Sequence, residues 1–227
     1  MILELKMYNL YKGYIPTKNK SATKRFKNVE LDSLEDVQNL NEYAGVLNDD
    51  TILIDVDDME QSDILLNIVK SEGLKCKVYA TSRGKHFLFL NTVVSRCMTD
   101  GSLACGVARV DIKVGVQYEV LKFNGILREV LYDTEEYECL PNWLIPVKST
   151  KIFSRMANGD GRNTAIFKHV SLLMQSGISK SDIITAVKML NKYVFTDKLP
   201  DDEIAKLLRD ERFAKPSFFK GEKFLHA

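Results

Sequence analysis

The stretch TILIDVDD, residues 51–58, decides the fold class of this chain. Its first six residues are apolar except for Thr51 and Asp55 and are rich in β-branched side chains, which predicts that they form a buried strand. Residues 60–72 then place four aliphatic side chains at helical spacing, and Gly73 follows them as a helix stop. A buried strand followed by an amphipathic helix is not the pattern of a helical bundle.

Strands and helices are predicted to alternate over the first 148 residues. Residues 76–80 and 86–90 are extended runs joined by the turn SRGK, and this pattern predicts a β-hairpin. The mixture of elements predicts an α/β or α+β fold. The other elements predicted in this part are a short helix over 34–40 and strands over 109–114, 117–122 and 126–132.

The character of the sequence changes near residue 148, where strand patterns give way to helical ones. Amphipathic helices are predicted over 163–175 and 179–193, and a last helix opens with Pro200 in its first turn. This change predicts two domains with a linker between them. The predicted boundaries are a first domain over 1–148, a linker over 149–160, a helical domain over 161–212 and a tail over 213–227.

Charge and composition exclude several classes of protein. The 227 residues carry 32 Lys and Arg against 31 Asp and Glu, and the mean hydropathy is −0.16, so neither a histone-like chain nor an acidic disordered one is expected. No apolar run approaches the length of a membrane span and the N-terminal stretch lacks a secretory signal pattern, which predicts a cytoplasmic protein without a membrane partner. The cysteines form no CxxC pair, which favours reduced thiols over disulfides or a zinc ribbon; they are Cys76, Cys97, Cys105 and Cys139.

Two carboxylates lie at the end of the buried strand predicted over 51–56. Side chains alternate along a strand, so Asp55 and Asp57 are expected on one face, about 6.5–7 Å apart along the backbone. Adjacent carboxylates at the end of an apolar strand repel one another unless a cation lies between them, and Mg²⁺ and Mn²⁺ prefer oxygen ligands. The alternative is that these residues cap the following helix, a task that Asp58 could perform alone.

The turn of the predicted hairpin offers groups that suit a polyphosphate. Ser82 supplies a hydroxyl, Arg83 and Lys85 supply positive charge, and Gly84 permits a tight turn with exposed backbone amides. His86 adds an imidazole at the start of an otherwise apolar strand. The alternative is a solvated turn with incidental charges.

A third segment, VDIKVG over 110–115, places Asp111 and Lys113 on one face of a strand. Asp111 could complete a carboxylate cluster, and Lys113 could meet a triphosphate, although a surface salt bridge is the simpler interpretation of this segment alone. The stretch KNKSATKRFK over 18–27 holds five positive charges and no acid, and it either touches nucleic acid or is an exposed loop.

The order of these three segments resembles the three motifs of archaeo-eukaryotic-type primases, and most of all the primase–polymerase domains of phages and plasmids. The motifs are ILIDVDD over 52–58, TSRGKHFLF over 81–89 and VDIKVG over 110–115. Segments over 161–183 and 198–211 resemble the small helical domain that follows such primases. The tail KPSFFKGEKFLHA resembles the junction to a superfamily-3 helicase domain, whose Walker A motif is absent from this chain.

The resemblance implies an α+β fold, with an RNA-recognition-motif-like catalytic module beside an N-terminal α/β unit. It implies that Asp55, Asp57 and Asp111 bind two Mg²⁺ or Mn²⁺ ions for catalysis. It also implies a DNA primase or polymerase that uses NTPs or dNTPs on single-stranded DNA, with a superfamily-3 helicase domain as a partner in cis or in trans. If the gene is a phage's, the protein is expected in the bacterial cytoplasm. The residues that the resemblance assigns to nucleotide binding are Ser82, Arg83, Lys85, His86 and Lys113.

Two other classes of function remain open on the sequence. A metal-dependent nuclease or phosphohydrolase could use the same carboxylates, because two-metal chemistry serves both synthesis and hydrolysis. A non-catalytic replication module would bind DNA without needing the metal. The helical part, with 14 Lys and Arg against 9 Asp and Glu after residue 148, could contact nucleic acid phosphates or only pack against the first part.

Overall fold

Two antiparallel sheets and a group of helices make up residues 9–213, which are the part of the chain that a computed structural model describes. The strands are β1 (Tyr11–Lys18), β2 (Ser21–Ala22), β3 (Tyr43–Leu47), β4 (Thr51–Val56), β5 (Lys77–Ala80), β6 (Lys85–Leu90), β7 (Met98–Leu103), β8 (Ala108–Val114), β9 (Tyr118–Phe123), β10 (Ile126–Leu127), β11 (Val130–Asp133) and β12 (Pro146–Val147). The helices are α1 (Leu34–Val37), α2 (Met59–Ser71), α3 (Arg162–Gln175), α4 (Lys180–Met189), α5 (Asp201–Leu207) and α6 (Asp210–Phe213), with a 3₁₀ turn at Asn142–Leu144 and a π-helical turn at Leu190–Val194.

The larger sheet has seven strands in the order β11-β5-β6-β4-β8-β7-β12, and the smaller has five in the order β10-β9-β3-β1-β2. Every pairing between these strands is antiparallel. A mixed fold with antiparallel sheets belongs to the α+β class, so that prediction is confirmed and the α/β alternative is wrong.

Strand β4 lies at the middle of the larger sheet and is buried on both faces. Ile52 and Ile54 face a core that contains α2 and the C-terminal helices. Leu53 faces a second core, which lies between the two sheets and includes Leu121 of β9. Because both faces of β4 are covered, four of its six positions are apolar, which is the pattern that the sequence carries.

The C-terminal helices pack onto the larger sheet through the same core as α2. Ile166 of α3 and Leu190 after α4 belong to one cluster of buried side chains with Leu103 of β7. The tight turn between β7 and β8 reaches into these helices: Nε2 of His169 lies 2.8 Å from the carbonyl oxygen of Ala104. The predicted domain boundaries stay a prediction, but the buried core crosses the one at residue 148 without interruption.

Several predicted elements are confirmed and others differ in detail. β4, α2 and the β5–β6 hairpin lie where the pattern predicts them. The single strand predicted over 126–132 is wrong, since β10 pairs with β9 in the smaller sheet whereas β11 pairs with β5 in the larger. The Arg128 guanidinium lies at this crossing and donates to the carbonyls of Val120 and Ala80. Pro200 is the N-cap of α5 and not part of its first turn.

Other expectations are settled only in part. Strands β1, β2, β3 and β7 were not predicted individually. The helix predicted over 179–193 becomes a π-helical turn after Met189. Most of the predicted tail over 213–227 and the N-terminal residues 1–8 lie outside the described part of the chain. Between residues 9 and 213, no helix is both long enough and apolar enough to cross a membrane.

Candidate active site

Three residues of the predicted motifs lie side by side across the middle of the larger sheet. Asp55 of β4 is directly opposite His86 of β6 on one side and Asp111 of β8 on the other. Residues directly opposite one another in antiparallel strands project from the same face of the sheet. The antiparallel register therefore brings together Asp55, His86 and Asp111 on the face that meets the smaller sheet.

Asp55 is the central group of this row and is buried. Its Oδ2 accepts a hydrogen bond of 2.9 Å from Nζ of Lys113, and its Oδ1 lies 3.0 Å from Nε2 of His86. Burial acts to raise the pKa of Asp55, but His86 and Lys113 outweigh it and hold the pKa well below its ordinary value. Asp55 is thus a carboxylate at neutral pH.

His86 lies between two carboxylates that come from different sheets. Its Nδ1 is 2.9 Å from Oε1 of Glu119 in β9, while its Nε2 faces Asp55. Burial acts to lower the pKa of His86, but the contacts with Asp55 and Glu119 outweigh it and raise the pKa. Both ring nitrogens face acceptors, which is the arrangement that suits an imidazolium ion.

Asp57 and the turn before β6 lie at the mouth of the same site. Asp57 is exposed and forms an ion pair with Arg83. Ser82 lies at the tip of the turn. The backbone amides of Arg83 and Gly84 both donate to Oγ1 of Thr81, at 3.3 and 3.0 Å. These two amides therefore stabilise the turn itself, in place of the exposure to phosphate that the sequence suggested.

Lys85 is the predicted nucleotide-binding residue that the structure does not bring to this group. It is opposite Val56 and so projects from the other face of the sheet. Its Nζ donates to Asp63 and, at 3.2 Å, to Ser62, both in α2. With 6% of its surface exposed, Lys85 binds α2 to the sheet.

The group opens into a cleft between the two sheets, with a volume of about 710 Å³. Asp55, Asp57, His86 and Lys113 line one wall of it. Asp111 lies next to Asp55 in register, and its Oδ1 accepts a 2.8 Å hydrogen bond from the backbone amide of Asp100. The opposite wall comes from the smaller sheet and the β1–β2 turn and includes Lys20, Phe123, Ile126 and Leu127.

The carboxylates at this cleft fit a hard divalent cation by their donor chemistry. Asp55 Oδ1 is buried and accepts no hydrogen bond of regular geometry, so it retains acceptor capacity. Carboxylate oxygens from Asp55, Asp57 and Asp111 are the ligands that Mg²⁺ and Mn²⁺ prefer. Within residues 9–213, no three His, Cys, Asp or Glu side chains are grouped as ligands around one point. Lys113 and Arg83 neutralise Asp55 and Asp57 in this arrangement.

Sequence reasoning missed Glu119 and the aromatic and apolar wall of the cleft. Glu119 alternates with Val120 and shares a face with Leu121, which is buried between the sheets. A carboxylate at an inward position of a half-apolar strand is therefore the signal that could have identified it. Lys20 belongs to the basic stretch over 18–27, for which contact with nucleic acid was one of two interpretations, but its position beside Phe123 joins residues that are distant in sequence, so no local pattern indicates it.

No protein-family model matches this chain, and no curated protein sequence matches it. A function for this protein must therefore be inferred from the geometry of the cleft and from the resemblance of the three motifs.

Proposed function

We propose that this protein is a primase–polymerase, which transfers a nucleoside monophosphate from an NTP or dNTP to a 3′-hydroxyl on a single-stranded DNA template. The observation that carries the proposal is the row formed by Asp55, His86 and Asp111 on three adjacent strands. Each member comes from a different one of the three motifs that resemble the primase family. In this proposal β6, β4 and β8, with α2 on their other face, form the expected RNA-recognition-motif-like module.

The charges around the row suit a triphosphate that meets carboxylates. Asp55 and Asp57 repel phosphate, but Lys113 and Arg83 lie within ion-pair distance of them, and the contacts of His86 with Asp55 and Glu119 raise its pKa and so favour its cationic form. When a triphosphate enters the cleft, these cationic side chains can release their carboxylate partners and form ion pairs with phosphate oxygens instead. The side chains assigned to the triphosphate are therefore His86, Lys113, Arg83 and Ser82, while Lys85 is left out because it bonds to α2.

The reaction forms one phosphorus–oxygen bond and breaks another. The 3′-oxygen attacks the α-phosphorus and loses its proton, and pyrophosphate leaves with the bonding electron pair. Asp55, Asp57 and Asp111 would hold two Mg²⁺ or Mn²⁺ ions, which would lower the pKa of the 3′-hydroxyl and stabilise the negative charge of the leaving pyrophosphate. The fixed cations of the cleft add stabilisation as negative charge moves onto the pyrophosphate.

The second wall of the cleft suits an unpaired strand of nucleic acid. Ile126 and Leu127 are 74% and 60% exposed, and Phe123 lies near them. Lys20 places its Nζ 5.0 Å from the centre of the Phe123 ring, and it belongs to the basic stretch over 18–27. Apolar and aromatic surface for bases beside cations for phosphates is typical of single-strand binding sites. This wall favours a nucleic acid substrate over a small phosphate ester.

The test is primer-free synthesis on single-stranded DNA with labelled NTPs and dNTPs and with Mg²⁺ or Mn²⁺. We expect new strands from the wild-type protein and a loss of at least about 1000-fold in the Asp55→Ala/Asp57→Ala variant, because the transfer relies on charge neutralisation worth several kcal/mol. Asp201→Ala/Asp202→Ala in α5 removes two exposed carboxylates outside the cleft and should retain activity.

Three results would contradict the proposal. Full synthesis by a folded Asp55→Ala/Asp57→Ala variant would remove the assigned carboxylates from the reaction. Template degradation that the same variant abolishes would identify a nuclease. DNA binding without synthesis, with or without a supplied primer and independent of metal, would identify a binding module.

A further inference from the structure

A buried carboxylate supports His86 from behind, on the side away from Asp55. The Glu119 side chain has no exposed surface, and it projects from β9 of the smaller sheet toward His86 of the larger one. Its Oε1 lies 2.9 Å from Nδ1 of His86, and its Oε2 accepts a 2.6 Å hydrogen bond from the hydroxyl of Tyr11 in β1. Tyr11, Glu119, His86 and Asp55 thus form a continuous chain of polar contacts across the space between the sheets.

Packing alone does not account for a carboxylate at this position. Burying a charge is costly, and apolar residues of similar volume often stabilise a protein at least as well as a buried ion pair. Leu121, two residues along β9 on the same face, fills such a position with an aliphatic side chain. Glu119 can instead orient the ring of His86. A carboxylate that accepts a hydrogen bond from Nδ1–H fixes the plane of the imidazole and directs Nε2 toward Asp55.

We propose that Glu119 is a positioning residue for His86, and that Tyr11 holds the Glu119 carboxylate in place. Glu119 keeps Nε2 of His86 turned to the cleft, where it faces the carboxylate of Asp55 and meets the phosphates of the incoming nucleotide. This inference rests on the proposed function, because it is that function which assigns the phosphates to His86. It gives the smaller sheet a part in catalysis, since both Tyr11 and Glu119 belong to it.

The test compares variants that keep or remove the acceptor for Nδ1–H. Glu119→Gln retains an oxygen at the same place, and Glu119→Leu fills the space without one. Tyr11→Phe removes only the hydroxyl that holds the carboxylate. Leu121→Ala is the matched control, because it weakens the same inter-sheet core and removes none of the hydrogen-bonding groups of the polar chain.

Two readouts separate positioning from simple stabilisation. The first is kcat/KM for the nucleotide, which should fall about 10–100-fold in Glu119→Leu, within the range for supporting residues. It should fall only a few-fold in Glu119→Gln and Tyr11→Phe. The second is the ¹⁵N spectrum of the histidines, of which the chain has three. The Nδ1–H signal of His86, identified by its loss in His86→Gln, should persist in Glu119→Gln and disappear in Glu119→Leu.

The inference is overturned if folded Glu119→Leu keeps wild-type kcat/KM, or if Leu121→Ala loses as much activity for the same fall in stability. It is also overturned if the Nδ1–H signal is unchanged in Glu119→Leu. Binding of a fluorescent nucleotide triphosphate, measured without template, distinguishes these failures from failure of the proposed function. A wild-type protein that neither binds the triphosphate nor extends a strand overturns the proposed function, whatever the histidine spectrum shows.

Discussion

Two histidines, His86 and His169, are buried in this molecule, yet their surroundings move their pKa values in opposite directions. The carboxylates of Asp55 and Glu119 overcome the effect of burial at His86 and raise its pKa. At His169 burial dominates and lowers the pKa, since its ring contacts the neutral carbonyl of Ala104 and Phe153 packs edge-on at 5.0 Å. The two pKa shifts differ in direction because the ring of His86 contacts two carboxylates, whereas the ring of His169 contacts a neutral carbonyl.

The lowered pKa of His169 leads to a prediction about how the free energy of unfolding depends on pH. The unfolded chain takes up a proton at His169 near pH 6.5, whereas the folded protein resists it until a lower pH. The contribution of His169 to the free energy of unfolding should therefore decrease as the pH falls below about 6.5, opposite in sign to the contribution of His86, whose pKa is raised. In His169→Gln, whose amide can still donate to Ala104, urea unfolding at pH 7 and pH 5 should reveal a smaller decrease. An equal decrease in both proteins would contradict the prediction.

At the scale of elements, the β5–β6 hairpin is held against the end of β4 by a close approach of backbones. A Cβ added to Gly84 would lie 1.9 Å from the carbonyl oxygen of Val56, and backbone atoms cannot yield as a flexible side chain can. The glycine thus sets the distance between the turn that carries Arg83 and the strand end that carries Asp57. Gly73, which follows α2, differs because its φ is +65° and nothing lies within 4 Å of an added Cβ.

The difference between Gly84 and Gly73 leads to a pair of predictions about their alanine variants. Gly84→Ala should destabilise the protein by about 3 kcal/mol or more, because the turn must move away from Val56, and it should also lower strand synthesis. Gly73→Ala should destabilise it by about 1–2 kcal/mol, the cost of a left-handed alanine, with little change in synthesis. Thermal unfolding and the synthesis assay, both run on each variant, test the pair. Unimpaired synthesis by Gly84→Ala would show that the position of this turn does not affect the active site.

At the scale of the whole molecule, one core joins the C-terminal helices to the larger sheet. Gln61 of α2 accepts from the backbone amide of Ala108 in β8 and donates to Oγ of Ser154, at 2.9 and 2.8 Å. Lys192 and Tyr193, after α4, both donate to Glu72 at the end of α2. These contacts combine with the shared apolar cluster, so the face of the larger sheet that lies behind the cleft is covered by the helices.

This arrangement predicts that residues 1–148 alone do not reproduce the native sheet. Removing the helices would uncover part of the apolar cluster that contains the fully buried Leu103, Val107 and Val110. Exposed apolar surface on that scale favours aggregation or a loosely packed state. Expression of the fragment, with binding of a hydrophobic dye and thermal unfolding as readouts, checks this. A fragment that unfolds cooperatively at the temperature of the full chain would contradict the prediction and support an independent first domain.

Elements with a strong local signal can be predicted from the amino-acid sequence alone. Three such elements lie where predicted, and each depends on residues that are close together in sequence. They are the apolar run of β4, the helical spacing of α2 and the turn of the β5–β6 hairpin. Strands without a complete alternation, such as β2 and β7, were not predicted, because packing against neighbours stabilises them more than their own residues do.

Which of these residues contact one another depends on the tertiary structure. The motifs identify Asp55, His86 and Asp111 as chemically suited to one site, but their alignment comes from the register of three strands. The same register turns Lys85 to the opposite face. Glu119 reaches His86 from the other sheet across 33 positions of sequence. Register and sheet packing depend on contacts between distant parts of the chain, so a local pattern can state what a side chain is able to do but not which side chain it will face.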